Sequence, residues 1–223
     1  MLPIVVFLAA ALVDAKPAPL ETGLDPALVL PPPPQAGSTQ AKVELLELHA
    51  TQDARSTADE AAARLDGKTH DATIFAAALG PRFDLNTLPQ TARLLAMTRA
   101  TEKALVDRGK AEFRRRRPYA VDPALRSCER NDDPLSSYPS GHASMAFSMG
   151  EVLARLVPAK AGAILARSAT YAQTRIVCGQ HFRSDVVAGA LLGALVADRL
   201  MAIPTFTAQF ARARAELKAA GIS

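Results

Sequence analysis

Apolar and polar positions alternate with helical spacing along most of this chain. In the stretch VELLELHATQDARSTADEAAARL, which begins at Val43, apolar and alanine positions recur every three to four residues, predicting one or two helices that end at Gly67. Residues 72–79 (ATIFAAAL) predict a short apolar helix stopped by Gly80 and Pro81. The longest candidate helix covers 88–117, where Leu94, Leu95, Met97, Leu105, Val106 and Phe113 supply a broad apolar stripe. Residues 119–138, with Pro123, Asn131, Asp132, Asp133 and Pro134, predict a loop. Three further helical segments follow, near 141–157, 161–177 and 185–202. No stretch shows the period-two alternation of a strand, so the expected fold class is all-α, a single helical-bundle domain. Residues 16–40 (KPAPLETGLDPALVLPPPPQAGSTQ) lack periodicity and are rich in proline, which predicts an extended arm in a polyproline-like conformation, without helix.

The apolar runs are too short to cross a membrane. The uncharged stretch 186–197 (VVAGALLGALVA) is followed by Asp198 and Arg199, and the segment before it carries Glu151 and Arg155. A span needs roughly 20 apolar residues, so a buried core helix is the expected role and stable membrane insertion is not expected. The N-terminus differs: Leu2 to Val13 is apolar, and Val13 and Ala15 fit the small-residue pattern before a cleavage point. That reads as a signal peptide over 1–15, followed by the arm at 16–40 and the helical domain at 41–223. The expected location is periplasmic or secreted.

Charge and cysteine content narrow the chemistry. Lys and Arg outnumber Asp and Glu by 26 to 22, a net charge of +4, which favours an anionic ligand. There are two cysteines, Cys128 and Cys178, and no C-x-x-C pair, so neither a zinc ribbon nor a redox motif is indicated. In an exported protein they are candidates for one disulfide, the alternative being two buried thiols.

Three short stretches carry chemistry-bearing residues. In KAEFRRRRP, Lys110 and Arg117 lie seven apart, about two helical turns, so a continuous helix would place both on one face to grip an anion. Arg114 falls near that face. Arg115 and Arg116 point elsewhere, as solvated groups or partners of acidic neighbours, and substituting either is expected to leave turnover nearly intact. The second stretch is Tyr138-Pro139-Ser140-Gly141-His142, opening a predicted helix. A helix start presents free N–H groups and the positive dipole end to a phosphate; Gly141 allows close approach, Ser140 adds a hydroxyl, and His142 is placed to deliver a proton. The third runs from Thr174 to Asp185 and contains Arg175, His181 and Asp185; a carboxylate near an imidazole fixes its tautomer. Each stretch alone also has a plain explanation, as a solvated helix end, a capped helix or a surface His–Asp pair. Of the four histidines, His49 and His70 fall outside all three.

Taken together, in order, the stretches K-x6-R-P, P-S-G-H and R-x5-H-x3-D resemble the type 2 phosphatidic acid phosphatase (PAP2) superfamily. LPPPPQAGS at 30–38, SYPSGH at 137–142 and VCGQH at 177–181 are similar to the class A bacterial nonspecific acid phosphatases. That class usually has Gly where Ser136 stands and Thr where Ala143 stands, and the superfamily usually has Ser where Thr174 stands. The resemblance implies an all-helical phosphomonoesterase. In it His181 is the nucleophile, Asp185 accepts a hydrogen bond from its other ring nitrogen, and His142 is the proton donor. Lys110, Arg117, Ser140, Gly141 and Arg175 hold the phosphate. It further implies no metal and no cofactor, small phosphomonoesters as partners and no nucleic-acid polymer; a homo-oligomer is among the assemblies it allows. A membrane lipid phosphatase would need several spans, and a vanadate-dependent haloperoxidase is typically much larger and lacks the arm. A non-enzymatic polyanion binder would account for the arginine run but not for the spacing of His181 and Asp185.

Overall fold

The computed structural model describes residues 17–130 and 133–222; the signal peptide expected at 1–15 lies outside them. Among the described residues are ten α-helices and no strand, the all-α architecture expected from the periodicity. Boundaries fall where free N–H groups find acceptors or where proline removes one. Helix α1 (Pro26–Val29) starts behind Asp25, whose carboxylate accepts from the Ala27 N–H. Helix α2 (Thr39–Ala54) is capped by Ser38, and α3 (Thr57–Lys68) by a reciprocal box between Ser56 and Asp59. A 3₁₀ turn (Ala72–Phe75) leads into α4 (Ala76–Leu79). Prolines open α5 (Pro89–Phe113) and α6 (Pro118–Val121). Then come α7 (Gly141–Leu156), α8 (Ala161–Val177), α9 (Arg183–Met201) and α10 (Pro204–Ala219).

Four boundaries depart from the sequence expectation. The arm is not free of helix: α1 interrupts it, and Leu24 and Leu30 on either side are buried. Arg108 pairs with Asp25 at 2.6 Å, and the Tyr138 hydroxyl donates to the Pro31 carbonyl, which ties the arm along α5. Helix α5 stops at Phe113, four residues early, because Arg114 adopts left-handed φ 44° and ψ 40°. Pro118, just past the end of the predicted helix over 88–117, starts α6, where its missing N–H costs nothing. Helix α10 was not anticipated, although Phe206, Phe210, Ala213 and Leu217 recur at helical spacing and are all buried. Burying Phe206, Phe210 and Leu217 is worth about 1.5–3 kcal/mol each, enough to hold an otherwise polar helix.

The layer that positions the site is the crossing of α7 with α9. A Cβ at Gly189 would stand 2.4 Å from the Ser140 carbonyl oxygen, and one at Gly193 would stand 2.4 Å from that of Ser144. Only hydrogen at these two places lets the backbones meet this closely. The starts of both helices are thereby brought together, and the Ser140 N–H donates to the Asp185 carbonyl at 2.9 Å. Helices α5 and α10 cover this pair on one side and α8 with α3 on the other, around Leu94, Met145, Val152, Ile164, Leu192 and Phe206.

Candidate active site

His181 sits in the short turn between α8 and α9, on a loop fastened at several points. The structure joins Cys128 to Cys178, and the Cys128 N–H donates to the Cys178 carbonyl at 2.9 Å. Gly179, at φ +62°, turns the chain, and the Gln180 amide donates to Ser127 Oγ and to the Glu129 carbonyl. His181 is buried. Its Nδ1 lies 2.7 Å from the Ser137 carbonyl oxygen. A carbonyl only accepts, so the proton is on Nδ1 and the lone pair is on Nε2. Arg117 Nη1 faces that lone pair at 3.2 Å. Burial, then the charges of Arg117, Lys110 and Arg175, hold this imidazole well below its usual pKa range, so it stays neutral.

Asp185 is placed differently from the expectation. Its Oδ2 is 3.6 Å from His181 Nδ1, outside bonding distance. It accepts instead from the Ser137 hydroxyl at 2.6 Å, the Phe182 N–H at 2.8 Å and Arg115 Nη1 at 2.6 Å. Asp185 therefore reaches the imidazole through Ser137, the residue whose carbonyl holds the ring.

Two buried guanidinium groups are only partly satisfied. Arg117 donates to the Gln180 carbonyl at 3.1 Å and to Ser136 Oγ at 3.1 Å, but its Nε has no partner among the described residues. Arg175 bonds Glu129 at 3.2 Å through Nη2, while Nε and Nη1 are unpartnered there. Arg175 is only 1% exposed. An unpaired buried N–H is costly, and more so on a charged group, so these atoms fit an anion with several acceptor oxygens. Lys110 and Gly141 line a cleft of about 180 Å³ together with His70, Arg99, His142 and Met145. Burial and the nearby Arg117 push the Lys110 ammonium down to about 8. The break after Phe113 means that Lys110 and Arg117 do not share one helical face; they approach the site from the end of α5 and from the segment that follows it. Ser140 is fully buried, and its Oγ accepts the Ala143 N–H at a long 3.4 Å.

His142 opens α7 beside this cleft. Its Nε2 lies 3.1 Å from the Gly67 carbonyl oxygen, so Nε2 carries a proton and Nδ1 is the atom left for proton exchange. Burial first, then Arg175, lowers its pKa well below the usual range. Its ring is 4.8 Å from that of His70 and 5.8 Å from that of Tyr171.

Sequence reading missed Gly67 and His70. Gly67, where the sequence predicts the helix to end, lies one residue inside the end of α3 with its carbonyl on His142, and a Cβ there would stand 2.5 Å from Arg175 Nη1. Buried as it is, that guanidinium has no solvent to move into. Gly67→Ala is expected to lower kcat/KM on the order of 100-fold while leaving the far-UV circular dichroism spectrum unchanged, since it displaces the buried Arg175 guanidinium and not the helix. Arg115 was also misjudged. It is paired with acidic groups, as expected, but its side chain is only 9% exposed and one of those groups is Asp185; Arg116 is exposed. A wider apolar groove of about 520 Å³ runs between the arm and α2, touching this network only at Arg115 and Phe182.

The chain resembles known proteins over most of its length. A family model described as the PAP2 superfamily matches residues 91–207. An acid phosphatase of Zymomonas mobilis is 33% identical over 206 residues, covering 89% of this chain and 78% of that protein. A non-specific acid phosphatase of Providencia stuartii is 30% identical over 206 residues, covering 86% and 81%. Among solved structures, LpxE of Aquifex aeolicus superposes with a TM-score of 0.57 at 20% identity, over 73% of this chain and 94% of that one, a likeness of fold. Sequence, fold and relatives agree that the chain belongs to the PAP2 superfamily and is an acid phosphatase of the bacterial nonspecific type.

Proposed function

We propose that this phosphatase hydrolyses small phosphomonoesters through a phosphohistidine on His181, without a metal, and works outside the cytoplasm. One observation carries the reading: N–H groups of buried Arg117 and Arg175 that have no partner among the described residues accompany a histidine whose Nε2 bears a lone pair. Nε2 attacks phosphorus in line, and Arg117 shifts from the ring to an equatorial oxygen. Arg175, Lys110 and the N-terminus of α7 at Gly141 take the rest of the charge. As the P–O bond breaks, His142 Nδ1 gives its proton to the leaving oxygen. A water then attacks the phosphohistidine, His142 takes its proton, and Nε2 leaves with its electron pair. The disulfide between Cys128 and Cys178 and the apolar N-terminus support export. Among the described residues no single helix is long and apolar enough to cross a membrane.

The two histidines set the pH dependence. The depressed pKa of His181 keeps Nε2 unprotonated below the ordinary value of about 6.5, so the acid limb of activity lies at low pH. His142 must be protonated to act. Burial and Arg175 oppose that, but a phosphate dianion seated among these groups reverses the local field and raises its pKa. Activity then falls as pH rises through the raised pKa, which predicts an acidic optimum; a flat rate between about pH 5 and pH 9 would contradict it. His142→Ala is expected to slow alkyl phosphates by about 100-fold or more and aryl phosphates, whose leaving groups need little protonation, by about tenfold. Equal losses on both in steady-state assays would remove His142 from the acid role.

A further inference from the structure

We infer that Arg115, backed by Glu44 from α2, is a positioning residue that holds both supports of the nucleophile. The inference rests on His181 being that nucleophile. Arg115 grips the two supports with different groups. Its carbonyl accepts the Ser137 N–H at 3.1 Å, and Ser137 in turn holds His181 Nδ1. Its guanidinium donates to Asp185 Oδ1 at 2.6 Å and Ser184 Oγ at 2.6 Å, and it lies 4.3 Å over the Phe182 ring.

The guanidinium is itself held from behind. Glu44 accepts from Arg115 Nη2 at 2.9 Å and from the Ser184 N–H at 2.8 Å, so one buried carboxylate fixes both the arginine and the first turn of α9. This follows from the left-handed turn at Arg114: had α5 continued, Arg115 would lie on a helix instead of turning in between α2 and α9.

The charge matters as much as the geometry. Asp185 is fully buried, and burial pushes its carboxyl pKa up. The groups that act on it are Arg115 and Arg117 on the segment after α5, His181 on its own loop, and Tyr138, with Glu44 behind Arg115. Arg115 is the strongest of those opposing the burial, so it keeps Asp185 an acceptor for the Ser137 hydroxyl. Protonating Asp185 would remove the charge that strengthens its bond from the Ser137 hydroxyl, and so loosen the residue whose carbonyl holds the ring, which becomes cationic when phosphorylated.

The test compares Arg115→Gln and Arg115→Lys in the full chain, using kcat, KM and the pH profile on an aryl phosphate. The glutamine variant is expected to lose about 30-fold in kcat with KM changed by less than about threefold. Its acid limb should move up by about one pH unit as Asp185 protonates earlier. Arg115→Lys, keeping the charge, should restore the limb and stay within about tenfold of the parent kcat. A folded glutamine variant with the parent's kcat and acid limb overturns the inference. Should that variant not fold, the lysine variant decides: kcat within about tenfold with an unmoved limb supports the inference, and any larger loss or a shifted limb overturns it. If His181→Ala remained active, the nucleophile assignment itself would fall. An inactive His181→Ala beside an unaffected Arg115→Gln removes only the role of Arg115.

Discussion

Replacing His181 by alanine is expected to lower kcat on the order of 10⁴-fold or more, the scale seen when a nucleophile is removed from a working catalytic unit. The loss should fall on alkyl and aryl phosphates alike, because no leaving group compensates for a missing nucleophile. The fold should survive. The ring makes one hydrogen bond as donor, to Ser137, and among the described residues its other nitrogen is hydrogen-bonded only by Arg117. The loop keeps its disulfide and the Gln180 contacts. Substrate should still bind, since Arg117, Arg175 and Lys110 remain, and relief of the Arg117–His181 contact frees a donor for the phosphate. The variant is therefore expected to retain KM within about tenfold while kcat collapses.

Arg117→Ala is the second large effect. Arg117 stands next to His181 Nε2, the proposed attacking nitrogen, and its guanidinium spans Gln180, Ser136 and His181. Its removal takes away a buried positive charge where charge builds up on the equatorial oxygens, a loss of about 10²- to 10³-fold in kcat/KM. It also leaves a void in a buried cluster of Ser136, Gln180 and His181. The pH profile gives a second readout. Arg117 is, after burial, the largest influence lowering the His181 pKa. Without it that pKa rises, Nε2 protonates sooner, and the acid limb of kcat/KM moves to higher pH. Arg117→Lys should recover part of the rate, because the charge returns without the planar fork. The exposed Arg116 serves as the comparison: Arg116→Ala is expected to leave kcat/KM within about twofold.

The fold was largely legible because its helices announce themselves locally. The stripe from Leu94 to Phe113, the proline at 89 and the Ser140 start of α7 are each readable within a few residues. The residues proposed to bind phosphate stand out in the sequence for the same reason: each lies in a stretch short enough for spacing to matter. What escaped reading depends on contacts between distant segments. Gly67 is 75 residues from the His142 ring that it holds, and nothing in its neighbourhood marks its carbonyl as an acceptor. His70 joins the site only because α3 packs on α8. The turn at Arg114 was hidden because an arginine run has good helix propensity, and the left-handed conformation there is set by where Arg115 and Arg117 find buried partners. That single dihedral changed the reading of four consecutive arginines: two turn inward, and Arg114 and Arg116 remain exposed. In helix α10 the helical spacing is present but weak, its four buried apolar positions being interleaved with arginines and polar residues.

The central claim is a covalent phosphate on His181 Nε2. It is tested most directly by mixing the protein with a ³²P-labelled phosphomonoester, quenching within milliseconds in base, and mapping the label by mass spectrometry. A phosphohistidine intermediate requires an acid-labile, base-stable phosphate on the peptide carrying His181, formed at the rate of the first turnover and absent from His181→Ala. Label on another residue, or a parent enzyme that turns over fully with no label on His181 at any quench time, would contradict it.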